Sequence, residues 1–281
     1  MDINTRPGNQ LTPIPTTDPR FPPEIEYEIF LTAFYACKLL KSQTMLLRVA
    51  KRVSEWLVPL FYNVVIIRQH GIRSKLPPLA TLKKYGHHIH HLFVMVTDSH
   101  GTLPFSHSDL LSSCPNVSNL ALWSGTFPTI NMLDLPIRKV ALTSLSILRN
   151  LLERSDPKLV GWCSNITHIA MADSITEYDR RLLGYFPALR YLLVPDFDTG
   201  VQEALRRCPQ LRVVILLQGH VSWEDDRTQV IQEDRNASRD IRVVRVDCLF
   251  RGDWTRGTKG LPDMWDLAEK EVERRRGAAN A

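Results

Sequence analysis

CPNVSNLAL at 114–122, CSNITHIAM at 163–171, FPALRYLLV at 186–194 and CPQLRVVIL at 208–216 lie over one another without a gap. Their shared frame is Cys or Phe, then Pro or Ser, with apolar residues at the fourth, seventh and ninth places. The last two apolar residues are two apart and so point to one side of a strand, while the first enters that side through a turn. Weaker copies are HHIHHLFV at 87–94, LPIRKVAL at 135–142 and RDIRVVRV at 239–246. The leading apolar positions are 89, 117, 137, 166, 189, 211 and 241, separated by 20 to 30 residues, which is the period of a repeat array.

Short amphipathic stretches precede the strands. Asp109-Leu110-Leu111 comes before Cys114, Leu145 to Leu152 before Cys163, Arg181-Leu182-Leu183 before Phe186, and Val201 to Arg207 before Cys208. Each unit therefore reads as helix, turn, strand, and none buries its own apolar side alone. Stacking predicts an α/β fold, a solenoid with a parallel sheet on one side and a row of helices on the other.

Outside the array the composition changes. Residues 1–20 carry Pro7, Pro13, Pro15 and Pro19 among polar residues and read as a flexible tail. Pro22-Pro23 then sets the first turn of a helix with acidic Glu24, Glu26 and Glu28 and a stripe of Ile25, Ile29, Ala33 and Phe34. Ser42 or Thr44 is placed to cap a second helix, in which Leu46, Val49, Ala50, Val53 and Leu57 recur at helical spacing until Pro59 stops it. Phe61 to Ile67 reads as a buried strand. The resulting divisions are 1–20, a helical segment at 21–62, the array at 63–247 and a cap at 248–281. In the cap, Met264, Ala268 and Val272 share a stripe expected to close the open end of the stack, and Gly277 to Ala281 is expected to fray.

The 281 residues allow one large domain or a small one joined to a larger one. Hydrophobic residues at 44% and charged residues at 23% exclude a disordered or collagen-like chain. A net charge of +5, with its densest basic run at Arg274–Arg276, is too mild to point to nucleic acid. The longest apolar stretch, 57–67, is too short to cross a bilayer. The opening residues show no basic patch followed by an apolar core, so a cytoplasmic or nuclear address is expected. Five cysteines without a C-x-x-C pair suit buried thiols in a reducing compartment.

The array resembles irregular leucine-rich repeats of the cysteine-containing kind, and Pro22 to Tyr62 resembles an F-box. The F-box resemblance rests on Phe21-Pro22-Pro23-Glu24-Ile25 with Ile29, and on Leu46-Leu47-Arg48-Val49-Ala50-Lys51-Arg52-Val53 with Trp56, Leu60 and Tyr62. The whole looks most like the divergent F-box and leucine-rich-repeat proteins of mushroom-forming fungi. The resemblance implies a non-catalytic adaptor without cofactor. Its helical segment would dock on a Skp-type subunit of a cullin ubiquitin ligase through Pro22, Pro23, Glu24, Ile25, Ile29, Leu46, Val49, Val53, Trp56 and Leu57. Its repeats would hold an unidentified protein substrate. A repeat scaffold without a ligase role, its helices serving as an amino-terminal cap, is the competing reading.

Strand alternation nominates the recognition face as His91, Phe93, Asn119, Ala121, Trp123, Lys139, His168, Ala170, Tyr191, Leu193, Val213, Ile215 and Arg245. The face is apolar enough that either a partner or the chain's own Trp-bearing carboxyl segment should cover it, and the rarity of large exposed apolar patches favours the second. Catalytic patterns are thin. His87-His88-x-His90-His91 straddles a strand edge and cannot converge on one ion, and the cysteines fall in turn slots that suit packing. Ser155-x-x-Lys158 has a hydrolase spacing interrupted by Pro157, and Asp225-Asp226 reads as solvated charge.

Overall fold

The computed structural model describes residues 21–37, 39–69, 77–96, 105–123, 129–143, 145–148, 157–195, 197, 199–217, 230–232, 240–247 and 250–279. The tail at 1–20, Ser155 and the Asp225-Asp226 pair lie outside them. The chain divides into Met1–Val58 and Pro59–Ala281.

In the first unit Pro22-Pro23 opens helix α1, Pro23–Ala36. The expected second helix is two. Helix α2 spans Leu40–Leu46 and α3 begins at Lys51 and runs to Tyr62. The Thr44 hydroxyl donates to the Lys41 carbonyl at 2.7 Å instead of capping a helix. Pro59 lies inside α3, whose last turn continues past it, so Phe61 and Tyr62 are helical and the strand starts only at Val64. The face that α1 turns to α3 also differs from the expected stripe. Arg52 holds Glu26 through both carboxylate oxygens, with Nε–Oε2 at 3.0 Å and Nη2–Oε1 at 2.7 Å. The Tyr27 and Trp56 rings meet edge to face at 5.7 Å. Ile25 and Ile29, on the other side of the helix, are each 49% exposed.

The second unit is built by the repeat. Its elements are β1 Val64–Gln69, α4 Leu79–Tyr85, β2 His91–Val96, α5 His107–Ser112, β3 Asn119–Trp123, β4 Lys139–Leu142, α6 Pro157–Asn165, β5 His168–Met171, α7 Glu177–Leu183, β6 Tyr191–Val194, α8 Thr199–Arg207, β7 Val213–Leu217, β8 Val230–Gln232, β9 Val243–Asp247, α9 Phe250–Thr258 and α10 Met264–Ala279. A 3-10 turn at Thr129–Asp134 lies between β3 and β4, and a second at Leu145–Leu148 follows β4 ahead of α6. The sheet order is β1-β2-β3-β4-β5-β6-β7-β9-β8, parallel from β1 through β9. Strand β8, which no pattern announced, adds antiparallel at the edge.

The turn into each strand recurs in detail. The amide of the leading apolar residue bonds back three residues, Val117 to Cys114, Ile166 to Cys163, Leu189 to Phe186 and Leu211 to Cys208. Ile89 does the same to Gly86. The leading residues Ile89, Val117, Ile137, Ile166 and Leu189 are fully buried, with Leu211 nearly so. On this face the outer helices and the rows Leu92–Leu120–Val140–Ile169–Leu192–Val214 and Val94–Leu122–Leu142–Met171 form one core.

The seventh copy breaks the frame. Val214 pairs with Val243, which puts Val243 and Arg245 on the helix side and Val244 and Val246 on the opposite face. A slip of one residue inverts a strand. Ile241 is accordingly 41% exposed, and Arg245 does not belong to the nominated recognition face.

That opposite face is covered by α9 and α10. Phe250, Trp254, Met264, Trp265, Ala268 and Val272 pack onto Phe93, Ala121, Ala141, Ala170, Leu193, Val213 and Ile215. The carboxyl segment therefore roofs the sheet rather than capping its end, and α10 stays helical through Ala279 instead of fraying at Gly277. Ala121, Ala141 and Ala170 stand in one register row, and their small side chains leave depth for the tryptophan rings.

Gly86 occupies the slot that cysteine fills in other copies, and a Cβ there would stand 1.7 Å from the Ser113 carbonyl oxygen. Its backbone is ordinary right-handed helical, at φ −62°, so space rather than φ demands glycine. Gly86→Ala should lower unfolding stability by about 2–3 kcal/mol, read from a urea midpoint, because the neighbouring backbone has to move. An unchanged midpoint would show that the stacking distance is not fixed here.

Candidate functional site

Two regions carry the residues that the sequence nominated. The first is the helical unit. Large apolar side chains that stay exposed concentrate there: Phe21, Ile25, Ile29, Tyr35, Leu39, Leu40, Met45 and Val49, 8 of the 12 among the described residues, although the second unit is several times longer. Of the nominated adaptor contacts, Pro22, Pro23, Glu24, Ile25, Ile29 and Val49 are exposed, and Leu46 and Trp56 are half-buried. Val53 and Leu57 are fully buried and reach no partner. Leu39, Leu40 and Met45 escaped notice because the stretch between the two expected helices read as a connection, whereas α2 displays them on a helix.

The second region is a polar row beneath α9 and α10. His91, Asn119, Lys139, His168 and Tyr191 are the first residues of β2 to β6 and register side by side. Of the nominated substrate contacts, Phe93, Leu193 and Val213 are buried under the roof, in line with the expectation that the carboxyl segment covers this face, and their nomination as contacts is corrected. His91, Asn119, Trp123, Lys139, His168 and Tyr191 are half-buried along its edge.

Each member of the row meets the roof differently. Trp254 Nε1 donates to Asn119 Oδ1 at 3.0 Å, and its ring lies edge-on to His91 at 6.3 Å and to Phe93 at 5.4 Å. Lys139 Nζ is 3.9 Å from Asp263 Oδ2. His168 stacks on Tyr191 at 4.2 Å and meets the edge of Trp265 at 5.2 Å, while its Nδ1 shares a hydrogen bond with Thr167 Oγ1 at 2.8 Å. A cavity of about 20 Å³ remains beside Lys139, His168, Trp254, Asp263 and Trp265, room for one water.

The roof's own hinge is acidic. The Gly260 turn, at φ +70°, joins α9 to α10. Asp253 Oδ2 accepts the Met264 amide at 2.6 Å, and Asp263 Oδ1 accepts those of Trp265 and Asp266 at 2.9 and 3.1 Å. The first-turn donors of α10 are thereby satisfied by two buried carboxylates. Burial pushes Asp253 up to about 7 against the pull of the Met264 amide, and raises Asp263 as well.

The electrostatics of the row are those of a dry contact. Burial, reinforced by His90 and Lys139, holds His91 down to about 4, and burial reinforced by Lys139 holds His168 down to about 3. Both imidazoles are neutral at pH 7. His91 Nδ1 and Asp253 Oδ1 are buried without a partner. Burial also pushes the Cys114 and Cys163 thiols up to about 12, far from thiolate chemistry. His87 and His88 lie ring to ring at 3.8 Å, His90 is exposed and His91 turns under the roof. Among the described residues no three His, Cys, Asp or Glu side chains are placed to hold a metal, and no helix is long and apolar enough to cross a membrane. No family model, curated protein or solved structure matches the chain.

These shifts oppose each other in pH. The folded value of Asp253, about 7, lies above its ordinary 3.8, so its contribution is fully present below pH 3.8 and is lost as pH rises through 7. The histidines titrate below their ordinary 6.5, so their contribution is present above pH 6.5 and is lost as pH falls toward 4 and 3. Asp253→Asn should therefore raise the melting temperature more in alkaline than in acid buffer. His168→Gln should flatten the acid limb, which otherwise falls by up to about 1.4 kcal/mol per pH unit for each histidine. A wild-type melting curve independent of pH between 4 and 8 would contradict both assignments.

Proposed function

We propose that the chain is a non-catalytic adaptor: its F-box-like segment, 21–62, docks on a Skp-type subunit of a cullin ubiquitin ligase, and its repeat unit engages the protein to be modified. The observation that carries this reading is the concentration of exposed large apolar side chains on α1, α2 and the turn after α2. Soluble proteins rarely leave such groups in water without a use. The Glu26–Arg52 fork and the Tyr27–Trp56 contact fix α1 against α3, so Ile25 and Ile29 are presented at i and i+4 before any partner arrives.

The Cys114 and Cys163 thiols, buried and shifted away from thiolate, support the non-catalytic part. A nucleophile needs an accessible low-pKa group or a neighbouring base, and these groups are buried and shifted the other way.

The test is co-purification of the full chain with a Skp-type adaptor. Ile25→Asp with Ile29→Asp should abolish capture and leave circular dichroism and melting temperature unchanged, since both side chains are already in solvent. Val53→Asp is a poor probe because it would unfold the unit. A folded wild-type chain that captures no adaptor at micromolar concentration would overturn the reading.

A further inference from the structure

The residue just before each strand forms a second ladder, on the rim where the strands begin. Backbone amides donate in series from His90 to the Asn63 carbonyl, Ser118 to His90, Arg138 to Ser118, Thr167 to Arg138, Arg190 to Thr167 and Arg212 to Arg190, over 2.8 to 3.1 Å. These positions therefore stand side by side at the strand spacing of about 4.8 Å, and Arg138 to Arg212 covers about 14 Å.

Arg138, Arg190 and Arg212 are exposed. Arg206 and Arg207 end α8, just before the turn into β7 at the same rim. Nearby carboxylates are already committed. Glu203 accepts both Arg206 and Arg207, and Glu269 holds Arg212 at 3.2 Å. Sharing one carboxylate between two guanidinium groups leaves a surplus of positive charge. No ion-pair partner for Arg138 or Arg190 is found among the described residues. Capping of helix carboxyl ends accounts for Arg206 and Arg207, but Arg138 follows a 3-10 turn and Arg190 follows α7 by seven residues, beyond its last turn.

We propose that this arginine rim docks an extended acidic peptide, a Glu- and Asp-rich segment of a partner protein. The cations are arginines, whose forked donors take carboxylates two bonds at a time. The row covers about 14 Å, and about five extended residues at about 3.4 Å each span it. A single-stranded nucleic acid fits less well. It needs aromatic faces for its bases, and His168, Tyr191 and Trp265 at this end are engaged with one another. The rim residues all belong to the second unit, so the proposal does not rest on whether the helical unit meets a ligase.

A fluorescein-labelled hexaglutamate peptide, titrated with the full chain and read by anisotropy, tests this. Wild type should bind, more weakly as salt rises. Arg138→Ser with Arg190→Ser should weaken binding about tenfold or more, the loss of two charge-assisted contacts. A charge-matched control in the other unit, Arg48→Ser with Lys51→Ser, should stay within about twofold of wild type if position rather than net charge decides. Arg190→Glu alone supplies a second reading should the double variant fold poorly. The proposal falls if wild type ignores the peptide at low salt or if the control loses as much as the rim variant. It also falls if an oligothymidine binds more tightly than the peptide and is lost with the same two arginines.

Discussion

Strand β7 carries Val213, Val214, Ile215, Leu216 and Leu217, all buried, and one layer of helices cannot hide both sides of such a strand. The same holds along the sheet, where Phe93, Leu193, Ile215 and Val244 back the row formed by Leu92, Leu192, Val214 and Val243. The second face must be roofed, and α9 and α10 supply the roof. This demand governs the rest of the unit. It sets the small side chains of Ala121, Ala141 and Ala170 beneath the bulky rings of Trp254 and Trp265, because a parallel sheet and a helix pair approach closely only where one side yields depth.

Apolar contact alone would let the roof slide, since it has no direction. The polar row removes that freedom. Trp254 finds Asn119, Asp263 faces Lys139, and Glu269 pairs with Arg212 ahead of β7. Each pair involves a different strand, so a shift of the roof by one strand spacing would break them all together. The arrangement has a cost. His91 Nδ1 and Asp253 Oδ1 are left without partners, and an unpaired buried polar atom costs about 1–3 kcal/mol. The position of α9 and α10 is thus bought with part of the stability that their apolar faces contribute.

The parallel sheet was legible because Val117, Ile166, Leu189 and Leu211 recur in one frame with two apolar residues behind them, and stacking follows from that spacing alone. The seventh copy misled because Ile241, Val244 and Val246 match the frame as well as their neighbours do. Pairing with Val214 chooses Val243 instead, a tertiary decision invisible in a window of eight residues. In the helical segment Ile25 and Ile29 advertised a core stripe, yet Glu26 and Tyr27 face α3, because a bidentate ion pair and a ring contact fixed the rotation of α1. Periodicity reports which residues share a side, not which side finds a neighbour. The apolar face itself calls for cover by the Trp-bearing carboxyl segment, whereas the stripe of Met264, Ala268 and Val272 reads in sequence as an end cap, because its destination depends on the second apolar face of the sheet.

Once that face is covered, the surface of the sheet is no longer open, and what the second unit presents to solvent are its rims and its outer helices. A parallel array then offers something that an antiparallel one lacks. All eight of its parallel strands begin on one rim, so the residue at one place in every repeat is brought into a single line at constant spacing. Substitution at that place changes no core contact, because the leading apolar residue before it and the strand behind it carry the packing. His90, Ser118, Arg138, Thr167, Arg190 and Arg212 show this freedom: each preceded by a buried aliphatic residue, they range from hydroxyl to guanidinium. The fold thus separates the positions that hold the array together from those that set its surface chemistry, and it is on the second set that a binding property can be written without disturbing the first.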